Sequence, residues 1–287
     1  MIANTVIRTT WAGLSPSLNR AAIVKTLAVS YQHRELLKEF ILRSLHAAHA
    51  RHGFGGIWIY LQPLIVVATY LLIFGFVLGS RIQNGNDFPG DYPSYILIGL
   101  VPWLMMQATL IRSSAALVSN GNLVKQIVFP IEILPIAAVA AAAIPYIPAF
   151  LLVIVYKAVV SGGLPWTMFL LPVALMLLAS LAAGLAFALS ALTAFVRDVG
   201  EIVQSFCSVA LYLMPIVYLP GWVPHALRPL VYIIPFSYPA WVMQDVLFFG
   251  YIAHPISWLV TTIFAIGSLA LGFRLFEKLK PYYGNVL

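Results

Sequence analysis

Long apolar runs separated by short polar breaks dominate the hydrophobic pattern of this chain. Ile57–Gly79 is one such run, 23 residues (57 to 79) without a charged side chain. As a helix it is about 34 Å long, slightly more than the roughly 30 Å hydrocarbon core of a bilayer. The pattern therefore predicts a membrane-spanning helix, and similar runs bring the predicted total to six: Ser94–Val118, Ile133–Tyr156, Trp166–Val196, Ile202–Leu219 and Pro255–Phe273.

The length of these runs also decides the fold class. Inside lipid every backbone N–H and C=O must find a partner within the protein. Runs of about 20 apolar residues satisfy this as helices, whereas barrel strands are shorter and alternate apolar with polar positions. We therefore expect an all-α polytopic membrane domain over residues 57–276.

An amphipathic pattern precedes the first span. Apolar residues recur at helical spacing between Arg34 and His49, and charged residues and histidines fill the opposite face. The pattern predicts an interface helix within residues 31–56 that lies flat on the inner leaflet, after a basic arm at 1–30. The alternative is a solvated helix packed on a soluble partner.

Two breaks between spans stand out. Residues 119–129 form a short polar segment with one lysine, Lys125, and Pro130 and Pro135 follow it. The pattern predicts that this segment is a cytoplasmic elbow that is bound by another protein. Residues 220–254 are rich in proline and aromatics but too broken to span, which predicts re-entrant outer helices buried in protein.

Composition and charge agree with this topology. The chain is 62% hydrophobic and 9% charged, which excludes an ordinary soluble domain. Basic residues stay on the cytoplasmic side of membranes, and an N-in/C-in orientation leaves only Arg81, Lys157 and Arg228 outside. The other cations, apart from Arg112 within a span, then lie inside, including those of a cytoplasmic tail at 277–287. The net charge of +7 thus reports orientation and contact with anionic lipids, and nucleic acid is not required.

Catalytic chemistry is sparse in this sequence. We find no phosphate-binding loop, His-Glu-x-x-His or Gly-x-Ser-x-Gly motif. His46, His49 and His52 are spaced for one helix face, but no carboxylate or cysteine accompanies them, so no metal site is predicted. An energy source for transport would have to be another polypeptide.

Several short motifs stand in order between Arg43 and about Gly250. They are Arg43-Ser44-Leu45, Gly55-Gly56-Ile57-Trp58, Gln62-Pro63-Leu64, Tyr95 to Trp103, Asn122-Leu123-Val124-Lys125, Phe129-Pro130, Leu134-Pro135, Arg197-Asp198-Val199 and Pro215-Ile216-Val217-Tyr218. Together they resemble the ABC-2-type polysaccharide export permeases. Departures from that family's pattern include Ser44 where the family commonly has Asp, and Gln244 where it often has Arg.

The resemblance implies a homodimer of six-helix permease subunits paired with two cytoplasmic ATPase subunits. Such systems export lipid-linked O-antigen, capsule or teichoic-acid glycans across the bacterial inner membrane. ATP and Mg²⁺ would belong to the ATPase, and no cofactor is expected in this chain. The resemblance makes the elbow a coupling helix, with the ATPase-contacting residues Asn120, Gly121, Asn122, Leu123, Lys125, Phe129 and Pro130.

Candidate substrate contacts complete the picture. Tyr70 and Phe74 share a face of the first span, and Tyr212 and Tyr218 flank Met214-Pro215; the resemblance puts both spans along the glycan pathway. The alternative is that these aromatics form interfacial belts and packing. Arg112 and Arg43 are candidates for contacting lipid phosphate, against the alternative that Arg112 extends to the inner head groups.

Two other classes of protein stay open. A membrane transferase acting on polyprenyl lipids would need paired carboxylates, and Asp87 with Asp91 is the only close pair on the predicted outer loops. That loop also has turn chemistry, with Gly85-Asn86 and Pro89-Gly90. A passive channel or scaffold would need no elbow. Copurification with an ATPase discriminates among the three.

Overall fold

The computed structural model describes residues 31–47, 56–77, 90–126 and 129–287, and within them it contains helices and turns but no strand. The predicted basic arm at 1–30 lies outside the described residues, as do His49, His52, Asp87 and Arg81. The α-helices are α1 Arg34–Ala47, α2 Ile57–Tyr70, α3 Tyr92–Ser114, α4 Gly121–Gln126, α5 Ile133–Ala143, α6 Ile147–Ser161, α7 Leu171–Phe195, α8 Asp198–Leu213, α9 Arg228–Ile233, α10 Ser237–Gln244, α11 Pro255–Leu279 and α12 Tyr283–Val286.

Among the described residues, five helical stretches are long and apolar enough to cross a membrane. They are Ile57–Gly75, Tyr92–Ser114, Ile133–Ser161, Trp166–Phe195 and Pro255–Val286. Shorter helical turns join the α-helices within them: a π-helix at Leu71–Val77 continues α2, 3-10 turns join α5 to α6 and precede α7, and another joins α11 to α12. The expectation of an all-helical polytopic membrane protein is confirmed.

The remaining predicted span, Ile202–Leu219, differs in the structure. Its helix, α8, has 16 residues, about 24 Å of helix. It ends because Met214 is extended, with φ −86° and ψ 151°, and Pro215 has no N–H to continue the ladder. A sixth span therefore stays a prediction.

Two predicted helix ends are wrong. The third span extends to Ser161, where Gly162 caps it at φ +69°, so Lys157 lies inside a helix rather than in an outer loop. Lys157 is buried there, and its ammonium lies 4.7 Å from the centre of the Phe248 ring. This cation–π contact stabilises the buried charge. The last span extends beyond Phe273 to Leu279, because Arg274 and Lys278 continue the helix out of the apolar region.

The core forms around α3. Its N-terminal half is buried, and α5, α7, α8 and α10 all pack on this helix. The closest pairing is between α7 and α11: a Cβ atom added at Gly272 would overlap the carbonyl of Gly184, so the two backbones are in contact. Small residues allow such close approach between membrane helices.

Residues 220–254, predicted to lie at the outer surface, fold into the short helices α9 and α10, followed by a π-helix at Asp245–Phe249. Asp245, the first residue of this π-helix, is fully buried beside the N-terminus of α11. It accepts hydrogen bonds from the backbone N–H of His254 at 3.0 Å and from Nε1 of Trp258 at 3.2 Å, and its other oxygen lies 2.8 Å from Nδ1 of His254. The carboxylate thus anchors this region to the N-terminus of the last span, where the helix dipole favours negative charge.

Candidate functional site

The predicted elbow is a compact helical turn. A 3-10 turn at Val118–Asn120 runs directly into α4, and residues 127–128 lie outside the described part of the chain. Side chains hold the turn against the end of α3: the Ser119 hydroxyl donates to the carbonyl of Ala115 at 2.7 Å, and Nδ2 of Asn120 donates to that of Ala116 at 2.9 Å. The seven residues predicted to contact an ATPase therefore lie together here, with Asn122 and Lys125 exposed.

The inner side of the elbow packs on the protein. Val124 and Phe129 contact an apolar cluster whose buried members include Leu117, Phe187 and Phe276. Phe40 of α1 stacks on Phe129, with ring centres 6.0 Å apart and ring planes 16° apart. The elbow thus presents a polar face outward and connects inward to α1, α7 and α11.

A cavity of about 820 Å³ opens behind the elbow, between α1, α2, α3 and α5. Both arginines predicted to contact lipid phosphate line it, Arg43 from α1 and Arg112 from α3. Most of the remaining wall is apolar, with Ser44, Gln62, Ser119, Asn120 and Tyr146 as polar exceptions. Two cations beside apolar walls suit an amphiphile with an anionic head group.

Arg112 also has a structural role that the sequence did not reveal. Its Nη2 donates to the carbonyl of Ser44 at 2.6 Å, and its Nη1 donates to that of Ala141 at 3.1 Å. The Ala141 carbonyl lacks its usual helical donor, because the partner position is Pro145, which has no N–H, and Ser44 lies in the last turn of α1. Arg112 therefore joins α1 to α5, while its other N–H groups are not used by these two bonds.

The predicted pathway aromatics are arranged unequally. Tyr70 stacks on Phe74 at 5.7 Å, and Phe74 meets Tyr92 edge-on at 6.3 Å, so this pair contributes to packing. Tyr212 is 69% exposed and lies near enough to Tyr70 to interact with it electrostatically. The Tyr218 hydroxyl donates to the carbonyl of Leu213 at 2.8 Å, which closes the turn after α8.

A polar face on α8 was missed by the sequence analysis. One side of this helix is buried through Val203, Cys207, Ala210 and Leu211. The other side exposes a polar row that includes Tyr212: Glu201, Gln204, Ser205 and Ser208. The spacing of 201, 204, 205, 208 and 212 is helical and could have identified the row from sequence.

Of the two carboxylates proposed for the alternative transferase, only Asp91 lies within the described residues. Asp91 caps the N-terminus of α3, since it accepts hydrogen bonds from the Ser94 N–H at 3.0 Å and the Ser94 hydroxyl at 2.6 Å. Its predicted partner Asp87 lies outside the described residues. Within the described ranges no group of three His, Cys, Asp or Glu residues is placed to hold a metal ion.

Comparison with known proteins identifies the class. Residues 38–248 match the ABC-2 type transporter family. The chain belongs to this family, and it is a multi-pass protein of the inner membrane.

Individual relatives agree. The chain is 26% identical over 265 residues to an O-antigen export system permease protein RfbA of Klebsiella pneumoniae, covering 88% of this chain and 95% of that protein. It is 22% identical over 261 residues to a second RfbA of that organism, with the same coverage. It is also 23% identical over 196 residues to RfbA of Myxococcus xanthus, covering 68% of this chain and 73% of the relative.

Proposed function

We propose that this chain is the transmembrane permease subunit of an ATP-driven exporter of lipid-linked cell-surface polysaccharide. An O-antigen-like glycan is the first choice of substrate, because the three relatives described above are permeases of O-antigen export systems. Capsule and teichoic acid are the other glycans of this class. The working unit is a homodimer paired with two copies of a cytoplasmic ATPase.

The exposed polar row of α8 carries this proposal. Polar side chains facing lipid are costly, so such a row turns toward water or another subunit. In a homodimer, the α8 helices of the two copies would line a hydrated path between them. Tyr212 on this row, with Tyr218, Tyr70 and Phe74 nearby, would contact sugar faces weakly and repeatedly.

The proposed topology has six spans with both termini inside. Here α8 and the Met214–Leu219 segment together form the fifth span, and α9 and α10 are re-entrant helices at the outer surface. The excess of Lys and Arg on one side of the predicted spans supports this orientation. With it, the elbow and the 820 Å³ cavity both lie at the cytoplasmic side.

The cavity behind the elbow is the proposed entry for the lipid head group. Arg43 is exposed and makes no side-chain hydrogen bond to the described residues. Arg112 has further N–H donors besides the two that bond backbone carbonyls. Their guanidinium groups would contact the phosphates, and the apolar walls would accept the start of the lipid tail.

The elbow is the proposed site of ATPase coupling. Its exposed polar face, including Asn122 and Lys125, would sit in a cleft of the ATPase, with α1 as the neighbouring interface helix. The permease itself would not be an enzyme, and ATP and Mg²⁺ would be bound by the partner. The polyprenyl transferase and the passive channel or scaffold are the alternatives.

Copurification and hydrolysis test the proposal. We expect the ATPase encoded with this chain to copurify with it, the complex to hydrolyse ATP, and the isolated chain to show none. Lys125→Glu should lower export while membrane insertion is unchanged. Hydrolysis by the isolated chain, or an elbow variant with unaltered ATPase binding and export, would contradict it.

A further inference from the structure

The C-terminal segment, residues 280–287, folds back onto the elbow rather than extending away as a tail. A Cβ atom built on Gly121, the first residue of α4, would lie 3.6 Å from the Cβ of Leu287 and 3.8 Å from its carbonyl oxygen. A side-chain atom at this position would thus be in ordinary van der Waals contact, so the backbone of α4 and Leu287 lie close together although they are far apart in sequence. The segment therefore forms one wall of the support on which α4 rests.

A buried tyrosine anchors the segment. Tyr283 is fully buried, and its hydroxyl donates to the carbonyl of Phe276 at 3.0 Å. Its ring lies 5.3 Å from the ring of Phe276 and 6.0 Å from that of Phe195. The segment is thereby fixed to the cytoplasmic ends of both α11 and α7.

An ion pair fixes the other end of the elbow. Glu132, two residues after Pro130, is nearly buried, and its Oε1 lies 2.5 Å from the ammonium of Lys280. Removing Lys280 would leave the buried Glu132 carboxylate uncompensated, which is unfavourable. The Lys280 side chain is 43% exposed, so loss of Glu132 would leave a charge that water can still solvate. This pair therefore ties the start of α5 to the end of α11 across 148 positions of sequence.

The elbow needs such support because of its length. α4 has six residues, far fewer than an isolated helix needs to be stable in water. It is held by Leu287 at its start, by the apolar cluster through Val124, and by Phe129 and the ion pair after its end. Several of these contacts lead to α7, α11 or the C-terminal segment, while the apolar cluster also includes Leu134 of α5 and Phe129 stacks on Phe40 of α1.

We propose that the C-terminal segment is a working part of the coupling device: it clamps α4 to the last span, so that α4, residues 280–287 and the end of α11 move as one body. Glu132 and Lys280 act as positioning residues for α4. The inference rests on the proposed function, since it assumes that an ATPase pushes on the elbow. The proposed clamp is the route by which movement of the ATPase is transmitted from α4 to the membrane helices.

Charge reversal tests the ion pair. Lys280→Glu and Glu132→Lys should each lower the glycan exported per ATP hydrolysed several-fold, and the double reversal should restore much of it. Lys278→Glu, at an exposed cation two residues away in α11, is the matched control and should behave as wild type. Values are normalised to membrane abundance. Single reversals with wild-type coupling, or a double reversal no better than the singles, would overturn the proposal.

A disulfide measurement tests the one-body motion without relying on export. The pair Gly121→Cys with Leu287→Cys, in a Cys207→Ser background, matches the Cβ separation of natural disulfides, which is about 3.5–4.5 Å. Cross-linking should be equally fast in the resting complex and during ATP hydrolysis. Cross-linking that slows during hydrolysis would show that α4 leaves the segment, which overturns the proposal.

These outcomes separate the two levels of inference. If the wild-type chain neither binds an ATPase nor supports hydrolysis, the proposed function fails. If the wild-type complex is active but the Glu132 and Lys280 variants are too, the proposed function stands and the clamp fails.

Discussion

Replacing Arg112 with methionine separates its structural role from its proposed contact with lipid phosphate. Methionine keeps an unbranched stem of similar shape but donates no hydrogen bond. The change leaves the carbonyls of Ser44 and Ala141 without the donors they have in the structure, at 2.6 Å and 3.1 Å. Nothing else in the described residues replaces the missing N–H of Pro145.

The size of the effect follows from two opposing terms. Each hydrogen bond to a charged group contributes about 1.5–3 kcal/mol, so the two bonds together contribute about 3–6 kcal/mol. Removing the guanidinium also removes its desolvation cost, which is about 2.5–3.5 kcal/mol at the centre of a bilayer and smaller toward its edge. We therefore expect Arg112→Met to destabilise the protein by about 1–3 kcal/mol.

The assay combines three measurements on purified and membrane-embedded protein. Thermal unfolding in detergent reports stability, hydrogen exchange over Arg34–Ala47 reports whether α1 stays attached, and surface glycan per unit of protein reports export. Arg43→Met is the matched control, because Arg43 lines the same cavity without a hydrogen bond to the described residues. It should lower export with no loss of stability.

Wild-type stability together with unchanged exchange in α1 for Arg112→Met would refute the structural reasoning. The proposed phosphate contact would be refuted if both Arg43→Met and Arg112→Met export normal amounts of glycan per unit of protein. The two hypotheses are thus tested separately in one set of variants.

Two further predictions concern the pathway and the helix packing. Tyr212→Ala should lower surface glycan with little change in membrane abundance, because Tyr212 is exposed. Phe74→Ala should lower membrane abundance, because Phe74 packs between Tyr70 and Tyr92. If glycan and abundance fall in proportion in both variants, these aromatics are packing residues. Gly184→Ala or Gly272→Ala should lower the free energy of unfolding by about 1–3 kcal/mol or more, because the added methyl group forces α7 and α11 apart. Gly267→Ala should be tolerated, because the space around its Cβ position is open. Equal membrane abundance of all three variants would contradict the close packing.

Much of the helical framework could be predicted from sequence. The first, second, third, fourth and last predicted spans all correspond to membrane-length helices, and α1 and the elbow occur where the patterns indicated. Hydropathy predicts these helices because every span faces the same apolar lipid. The apolar character of each run alone therefore indicates a membrane helix.

The candidate site was less predictable. The elbow residues were found because a polar break between two apolar runs is a local signal. The second role of Arg112 was not, because its acceptors Ser44 and Ala141 lie 68 and 29 positions away. The polar row on α8 was overlooked although its spacing is visible in the sequence.

The sequence by itself thus determined five helices that are long and apolar enough to cross a membrane, since this property depends on short runs of side chains. Only the tertiary structure decided what holds the elbow and the neighbouring helix ends together. The Arg112 bonds, the Glu132–Lys280 pair and the contact of Leu287 with Gly121 join segments that are distant along the chain. No local pattern encodes such pairings, because each depends on where whole helices come to lie against one another.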